Sequence, residues 1–149
     1  MSSLSVNTHV AAPIADVFQV FTQLDKAQER IPTITNLEIL SEGPFGVGTR
    51  WRETRLIMKK ESTEEMRVTG HNPPHNYTVE AQSLGMLYET LFQFEPQSEG
   101  TKVTWEFRGT PQTWFNKILA PLISFPMAGL MKKCMQADLE VLRAVCEQG

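Results

Sequence analysis

Along residues 4 to 10 apolar and polar positions alternate, with Leu4, Val6 and Val10 on one side and Ser5, Asn7 and His9 on the other. That two-residue period is the mark of a strand with one buried face. Pro13 then stands where a first helical turn tolerates it, and Ile14, Val17, Phe18, Phe21 and Leu24 follow at spacings of three and four. The spacing predicts an amphipathic helix of about three turns. The polar segment DKAQER either adds a second short helix or leads directly to Ile31, which the following Pro32 pushes out of the helical region.

From residue 36 to 109 the period is that of strands: NLEIL, TRWRETRLIMKK, EEMRVTGH, NYTVEAQS, MLYETLFQF and TKVTWEFRG. Turn chemistry divides them at Gly43 to Gly48, at Asn72, Pro73 and Pro74, at Gly85, and from Pro96 to Gly100. Met66 and Val68 oppose Glu65, Arg67 and Thr69; Tyr77, Val79 and Ala81 oppose Thr78 and Glu80; Val103, Trp105 and Phe107 oppose Lys102, Thr104 and Glu106. One covered and one wet face is what an antiparallel sheet allows. The segment from 111 to 147 is left to cover it. Its second half, from near Pro126, reads as a helix with a polar stripe at Lys132, Gln136, Glu140, Arg143 and Glu147. Met127, Leu130, Met131, Cys134, Val141, Leu142 and Val145 lie opposite. The order is therefore one strand, one or two short helices, six strands and a long helix, an α+β chain with seven antiparallel strands. No repeat or linker divides residues 1–149, so a single domain is expected.

Composition narrows the function classes. Seventeen acidic against 14 basic residues give a net charge of −3, with the basic residues scattered, so a nucleic-acid partner is not expected. Cys134 and Cys146 are 12 residues apart on one predicted helix, about 18 Å, too far to pair. With no cysteine framework and an alternating N-terminus, a reduced, cytoplasmic and bacterial setting is the expectation. The apolar run WFNKILAPLISFPMAGLM is broken by Asn116, Lys117, Pro121 and Pro126 and suits a transmembrane segment poorly.

The glycine-rich stretch EGPFGVGTRWRET raises the question of a phosphate loop. Gly48 is followed by Thr49, Arg50 and Trp51 and then a strand, so the lysine and the helix that grip a phosphate are both missing. Gly43, Gly46 and Gly48 are expected instead to supply positive φ angles in a strand connection. Together with GTKVTWEF and the C-terminal LAPLISFPMAGLMKKCMQADLEVLRAV, this stretch resembles the START-like (SRPBCC) superfamily, in its polyketide cyclase/dehydrase and lipid-transport branch. The resemblance covers nearly the whole chain. It implies a birch-allergen-like helix-grip fold, a curved sheet wrapped around the C-terminal helix with an apolar cavity between them. It also implies one of several functions: binding of lipids, hormones or polyketides, catalysis of cyclisation or hydrolysis, or assistance to another protein.

Placed on that fold, Met127, Met131, Cys134 and Met135 form an adaptable helix surface. Phe92, Phe94, Trp105 and Phe107 form either core or a cavity wall for a flat ligand. Tyr77, Ser83, Tyr88 and Thr90 are the polar groups on the covered parity, each either structural or a ligand contact. In RWRETRLIM both parities are open; Trp51 favours its own set, which places Glu53 and Arg55 inside, to orient a ligand or to pair with other strands. A helical wheel sets Asp138 near the centre of the apolar face, where an isolated carboxylate must be paired, bonded or protonated, unless the helix is rotated to bring it to solvent. His9, His71 and His75 lack partners at metal-ligand spacing, so no metal and no cofactor are expected. No serine or cysteine stands in a nucleophile context.

Three functions follow as expectations. The first is a binding protein for a hydrophobic small molecule, lined by Trp51, Arg55, Tyr77, Tyr88, Thr90, Phe92, Trp105, Met127, Met131 and Cys134, as a monomer or homodimer. The second is a cyclase or dehydrase using Glu53, Arg55, Tyr88 or Asp138 for proton transfer and carbonyl polarisation. The third is an interaction module docking through WFNKILAPLISFP on a protein or a membrane surface.

Overall fold

The structure is a computed structural model that describes the backbone of residues 2–57, 59–83, 85–111 and 114–148, with side chains at 3–56, 59–82, 85–110 and 129–148. The chain runs β1 (Ser2–Val10), α1 (Ile14–Thr22), α2 (Leu24–Arg30), β2 (Ile34–Ile39), β3 (Arg50–Ile57), β4 (Lys60–Asn72), β5 (Asn76–Ser83), β6 (Met86–Gln97), β7 (Gly100–Pro111) and α3 (Trp114–Gln148). DKAQER thus does form a second helix.

The strands make one seven-stranded antiparallel sheet in the order β1-β7-β6-β5-β4-β3-β2. Strands β2 to β7 follow one another as a meander, and β1 joins at the far edge against β7, Val6 facing Trp105 and Thr8 facing Val103. Because β1 and β2 lie at opposite edges, α1 and α2 must carry the chain across the sheet. They do so with Val17, Phe18 and Phe21 buried, and Phe18 and Phe21 meet Phe94 edge-on at 5.2 and 5.3 Å. A register shift between Val68 and Gly70 in β4 turns His71 onto the face of Tyr77.

The helix α3 is held from two sides, at the edge strand β1 and at β3 near the other edge. On the β1 side Thr8 Oγ1 donates to Glu140 Oε1 at 3.1 Å, Gln136 Nε2 to the Asn7 carbonyl at 3.3 Å, and the Ala11 N–H to Glu147 Oε2 at 2.9 Å. On the β3 side Arg55 reaches Asp138. Between these anchors Met135, Leu139, Leu142 and Cys146 are buried against Val6, Val10, Val17 and Val103. A fully buried Leu139 contributes about 1.5–3 kcal/mol on transfer grounds. Among the described residues no helix is long and apolar enough to cross a membrane.

Several expectations need correction. The last helix begins at Trp114, not near Pro126, and its backbone is helical through Pro121 and Pro126. Its buried face is centred on Met135, Asp138, Leu139 and Leu142, so Asp138 faces inward and is not rotated to solvent. The strand read through to Lys60 ends at Ile57, and Ile57 pairs with Lys60 across a two-residue turn in which Lys59 takes φ 67°. No glycine or proline marks that turn. Gly43 and Gly48 have the expected positive φ, 91° and 96°, but Gly46 does not. Gly46 instead exchanges hydrogen bonds with Thr49, through its N–H to Thr49 Oγ1 and its carbonyl to the Thr49 N–H, both at 3.0 Å. The loop is a corner folded onto the core, with Phe45 5.2 Å from Tyr77 and 5.5 Å from His71.

Candidate functional site

Strand parity and register set the inward side chains into rows running across the concave face. One row holds Trp105, Phe92, Tyr77 and His71; the next Phe107, Thr90, Val79 and Val68; the next Tyr88, Ala81, Met66 and Trp51; and the last Glu64 and Glu53. Beyond them Arg55 stands opposite Ser62. Alternation puts every second residue of a strand on one face, so these rows follow directly from the pairing.

The charged group is closed. Arg55 Nε donates to Glu53 Oε2 at 2.5 Å, Arg55 Nη1 donates to Asp138 Oδ2 at 2.6 Å and to Thr33 Oγ1 at 3.3 Å, and Trp51 Nε1 donates to Glu53 Oε1 at 3.1 Å. The Glu53 and Asp138 side chains are 8% and 6% exposed, that of Arg55 25%. Burial works against the guanidinium charge, but Glu53 and Asp138 together outweigh it and push the Arg55 pKa up. Burial also lifts the Asp138 carboxyl above the ordinary aspartate range, with Arg55 opposing and Glu53 adding. Arg55 therefore bridges a strand to the helix, and its charge is committed to Glu53 and Asp138.

Tyr77 is also enclosed. It stacks on Phe92 at 5.1 Å, meets Phe18 edge-on at 5.9 Å, and donates its hydroxyl to the Phe21 carbonyl at 3.3 Å. Burial first, then Glu53, raises its pKa, so the phenol stays protonated.

A third group is open. Tyr88, Thr90, Phe92, Trp105 and Phe107 face inward yet are only part-buried, while Phe94, Val103 and Thr101, on the same face of the same two strands, are sealed. Tyr88 stacks on Phe107 at 5.5 Å and Phe92 lies 5.0 Å from Trp105, so the open part is an aromatic wall with Thr90 at its centre. Trp105 Nε1 is removed from solvent and has no hydrogen-bond partner among the described residues. The wall lies toward the end of the sheet where β7 hands over to α3, since Tyr88 pairs with Gly109 and Met86 with Pro111. On the helix, Met131 and Cys134 are part-buried and Met135 is core. The side chains of Met127 and Ser83, and of the run from Trp114 to Pro126, lie outside the described residues.

Glu64 was missed by the sequence reading. It faces Glu53 directly across β3 and β4 and is part-buried. Burial first, then the Glu53 charge, raises its pKa, and in turn Glu64 adds to burial in raising that of Tyr88. Extending the inward parity of Val68 and Met66 by two residues would have found it.

The sequence profile described as polyketide cyclase / dehydrase and lipid transport matches residues 1–147. Among solved structures, Ara h 8.0201 superposes with a TM-score of 0.77 at 16% identity, over 99% of this chain and 99% of that one. TTHA0849 from Thermus thermophilus gives 0.72 at 20% identity, over 96% of this chain and 95% of that one. The di-domain ARO/CYC BexL from the BE-7585A biosynthetic pathway gives 0.79 at 19% identity, over 98% of this chain but 50% of that one, so this chain spans about half of it. At such identities these likenesses establish the helix-grip fold. No curated protein matches the sequence significantly. With the profile matched from end to end and the sheet, helices and topology in agreement, the chain belongs to the polyketide cyclase/dehydrase and lipid-transport family.

Proposed function

We propose that the chain binds a hydrophobic small molecule between the aromatic wall of β6 and β7 and α3. The observation that carries this reading is the uneven cover of one continuous sheet face: Phe94 and Val103 are sealed, while Tyr88, Phe92, Trp105 and Phe107 are not. Part-open aromatic surface forgoes about 25 cal/mol for each Å² left in water, and an apolar ligand recovers it. The Tyr88 and Thr90 hydroxyls and the Trp105 N–H provide orientation. The expected cytoplasmic setting, argued from the unpaired Cys134 and Cys146, belongs to this proposal.

Titration with the neutral dye N-phenyl-1-naphthylamine tests it: saturable fluorescence enhancement at one site, with a matching adduct in native mass spectrometry, is the expected outcome. A linear, non-saturating response overturns the reading.

A second reading, a cyclase or dehydrase in the same place, is favoured by one observation. Glu64, unlike Glu53, Arg55 and Asp138, makes no salt bridge among the described residues, and its pKa is raised. A carboxyl so placed suits proton transfer. Unchanged turnover of a polyketone substrate in Glu64→Gln removes that reading.

A further inference from the structure

The indole of Trp105 is an unmatched donor in the aromatic wall. Its Nε1–H is shielded from solvent with no partner among the described residues, while its ring packs on Phe92 at 5.0 Å in the row of Val6 and Tyr77. Trp51, the other described tryptophan, has its Nε1–H satisfied by Glu53. Tyr77 likewise satisfies its hydroxyl inside the fold. The second shielded polar atom without a partner, Gln23 Oε1, belongs to the α1–α2 junction and not to the sheet. A buried donor left unpaired costs more than the bond would contribute if made, so a ligand whose binding brings an acceptor within reach of this shielded N–H gains over one that leaves it unpaired.

The acceptor could be neutral, as in a ketone or a phenol, or a carboxylate. Charge decides between them. Among the described residues the guanidinium on the concave face is Arg55, and it is committed to Glu53 and Asp138. Lys60, on the same parity, is exposed at the β3–β4 turn. Even with Glu64 neutral, two carboxylates face that one cation. With no free counter-charge among the described residues, a carboxylate at Trp105 is far costlier to bury than a carbonyl.

We propose that Trp105 is a specificity-determining residue whose Nε1–H selects flat ligands carrying a neutral carbonyl or hydroxyl oxygen, over hydrocarbons and over carboxylates. This rests on the ligand-binding reading above. Calorimetric titration with 2-acetylnaphthalene, 2-ethylnaphthalene and 2-naphthoate tests it, on the wild type and on Trp105→Phe. The expected result is a preference for the ketone over the ethyl compound of about five- to tenfold, the scale of one buried hydrogen bond, with naphthoate weakest. In Trp105→Phe the ketone falls to the level of the ethyl compound. As a check independent of the variant's folding, the Nε1–H resonance of Trp105 in the wild type moves downfield with the ketone and not with the ethyl compound. A ketone preference that survives in Trp105→Phe, a naphthoate that binds tightest, or an indole resonance indifferent to the ketone overturns the inference while leaving ligand binding intact. Failure of all three probes to bind overturns both.

Discussion

Replacing Arg55 by methionine removes the guanidinium from the group that ties β3 to α3. Glu53 and Asp138, whose side chains are 8% and 6% exposed, then face one another without a counter-charge. Removing one partner of a buried ion pair costs about 3–5 kcal/mol, and the 25% exposure of Arg55 argues for the lower end, about 3 kcal/mol. A domain of this size has about 5–15 kcal/mol of stability in all, and each kcal/mol moves the melting temperature by about 2–4 °C, so a fall of about 6–12 °C is expected. Urea unfolding followed by circular dichroism at pH 7 and pH 5 measures it. The pH dependence has a definite sign. Without Arg55 nothing offsets the burial that already raises the Asp138 pKa, so the native state holds that proton more tightly than the unfolded chain does and lowering the pH stabilises it. The deficit of Arg55→Met therefore shrinks at pH 5. Neutralising the partners as well, in Glu53→Gln/Arg55→Met/Asp138→Leu, recovers most of the loss, because an apolar replacement of the whole group leaves no buried charge. A variant within about 0.5 kcal/mol of the wild type at pH 7, the range of an ordinary surface substitution, or a deficit that is the same at both pH values, refutes the reasoning.

Two further perturbations test other parts of the account. Glu64→Gln removes a like-charge pair across β3 and β4, so it raises stability by about 0.2–1 kcal/mol at pH 7. The raised Glu64 pKa means that the wild type loses this contribution as pH rises through the carboxyl range, so the gain vanishes at pH 3; the same melts at both pH values check it. Gly100→Ala puts a Cβ into the Val10 carbonyl oxygen at a φ of 156°, where β1, β7 and the β6–β7 turn meet. A loss of about 2–3 kcal/mol in urea unfolding is expected.

Much of the fold was legible because one-sided strands alternate. Leu4, Val6 and Val10, and Val103, Trp105 and Phe107, announce their face without any tertiary information. The start of α3 was not legible, because Pro121 and Pro126 are breakers by local chemistry and the backbone nevertheless remains helical through both. The β3–β4 turn was hidden because Lys59 takes a left-handed conformation that glycine or asparagine normally signals. At the site, parity showed that Trp51, Glu53 and Arg55 share a face, but nothing local told that Asp138, 83 residues further on, would complete the group. A wheel showed Asp138 on the apolar face; only the partner explains why it can remain there. Phe94 is sealed where Phe18 and Phe21 of α1 pack edge-on against it, while Phe92 and Trp105 stay part-open, a tertiary difference that periodicity does not encode.

The central claim is that a ligand occupies the open half of the concave face. Chemical-shift mapping on isotope-labelled protein titrated with N-phenyl-1-naphthylamine tests it most directly. The account predicts shifts confined to Tyr88, Thr90, Phe92, Trp105, Phe107 and the facing residues of α3, with Val10, Phe94, Thr101 and Val103 unmoved. Shifts centred instead on the outer face or on the exposed Ile39 and Val47 would contradict it.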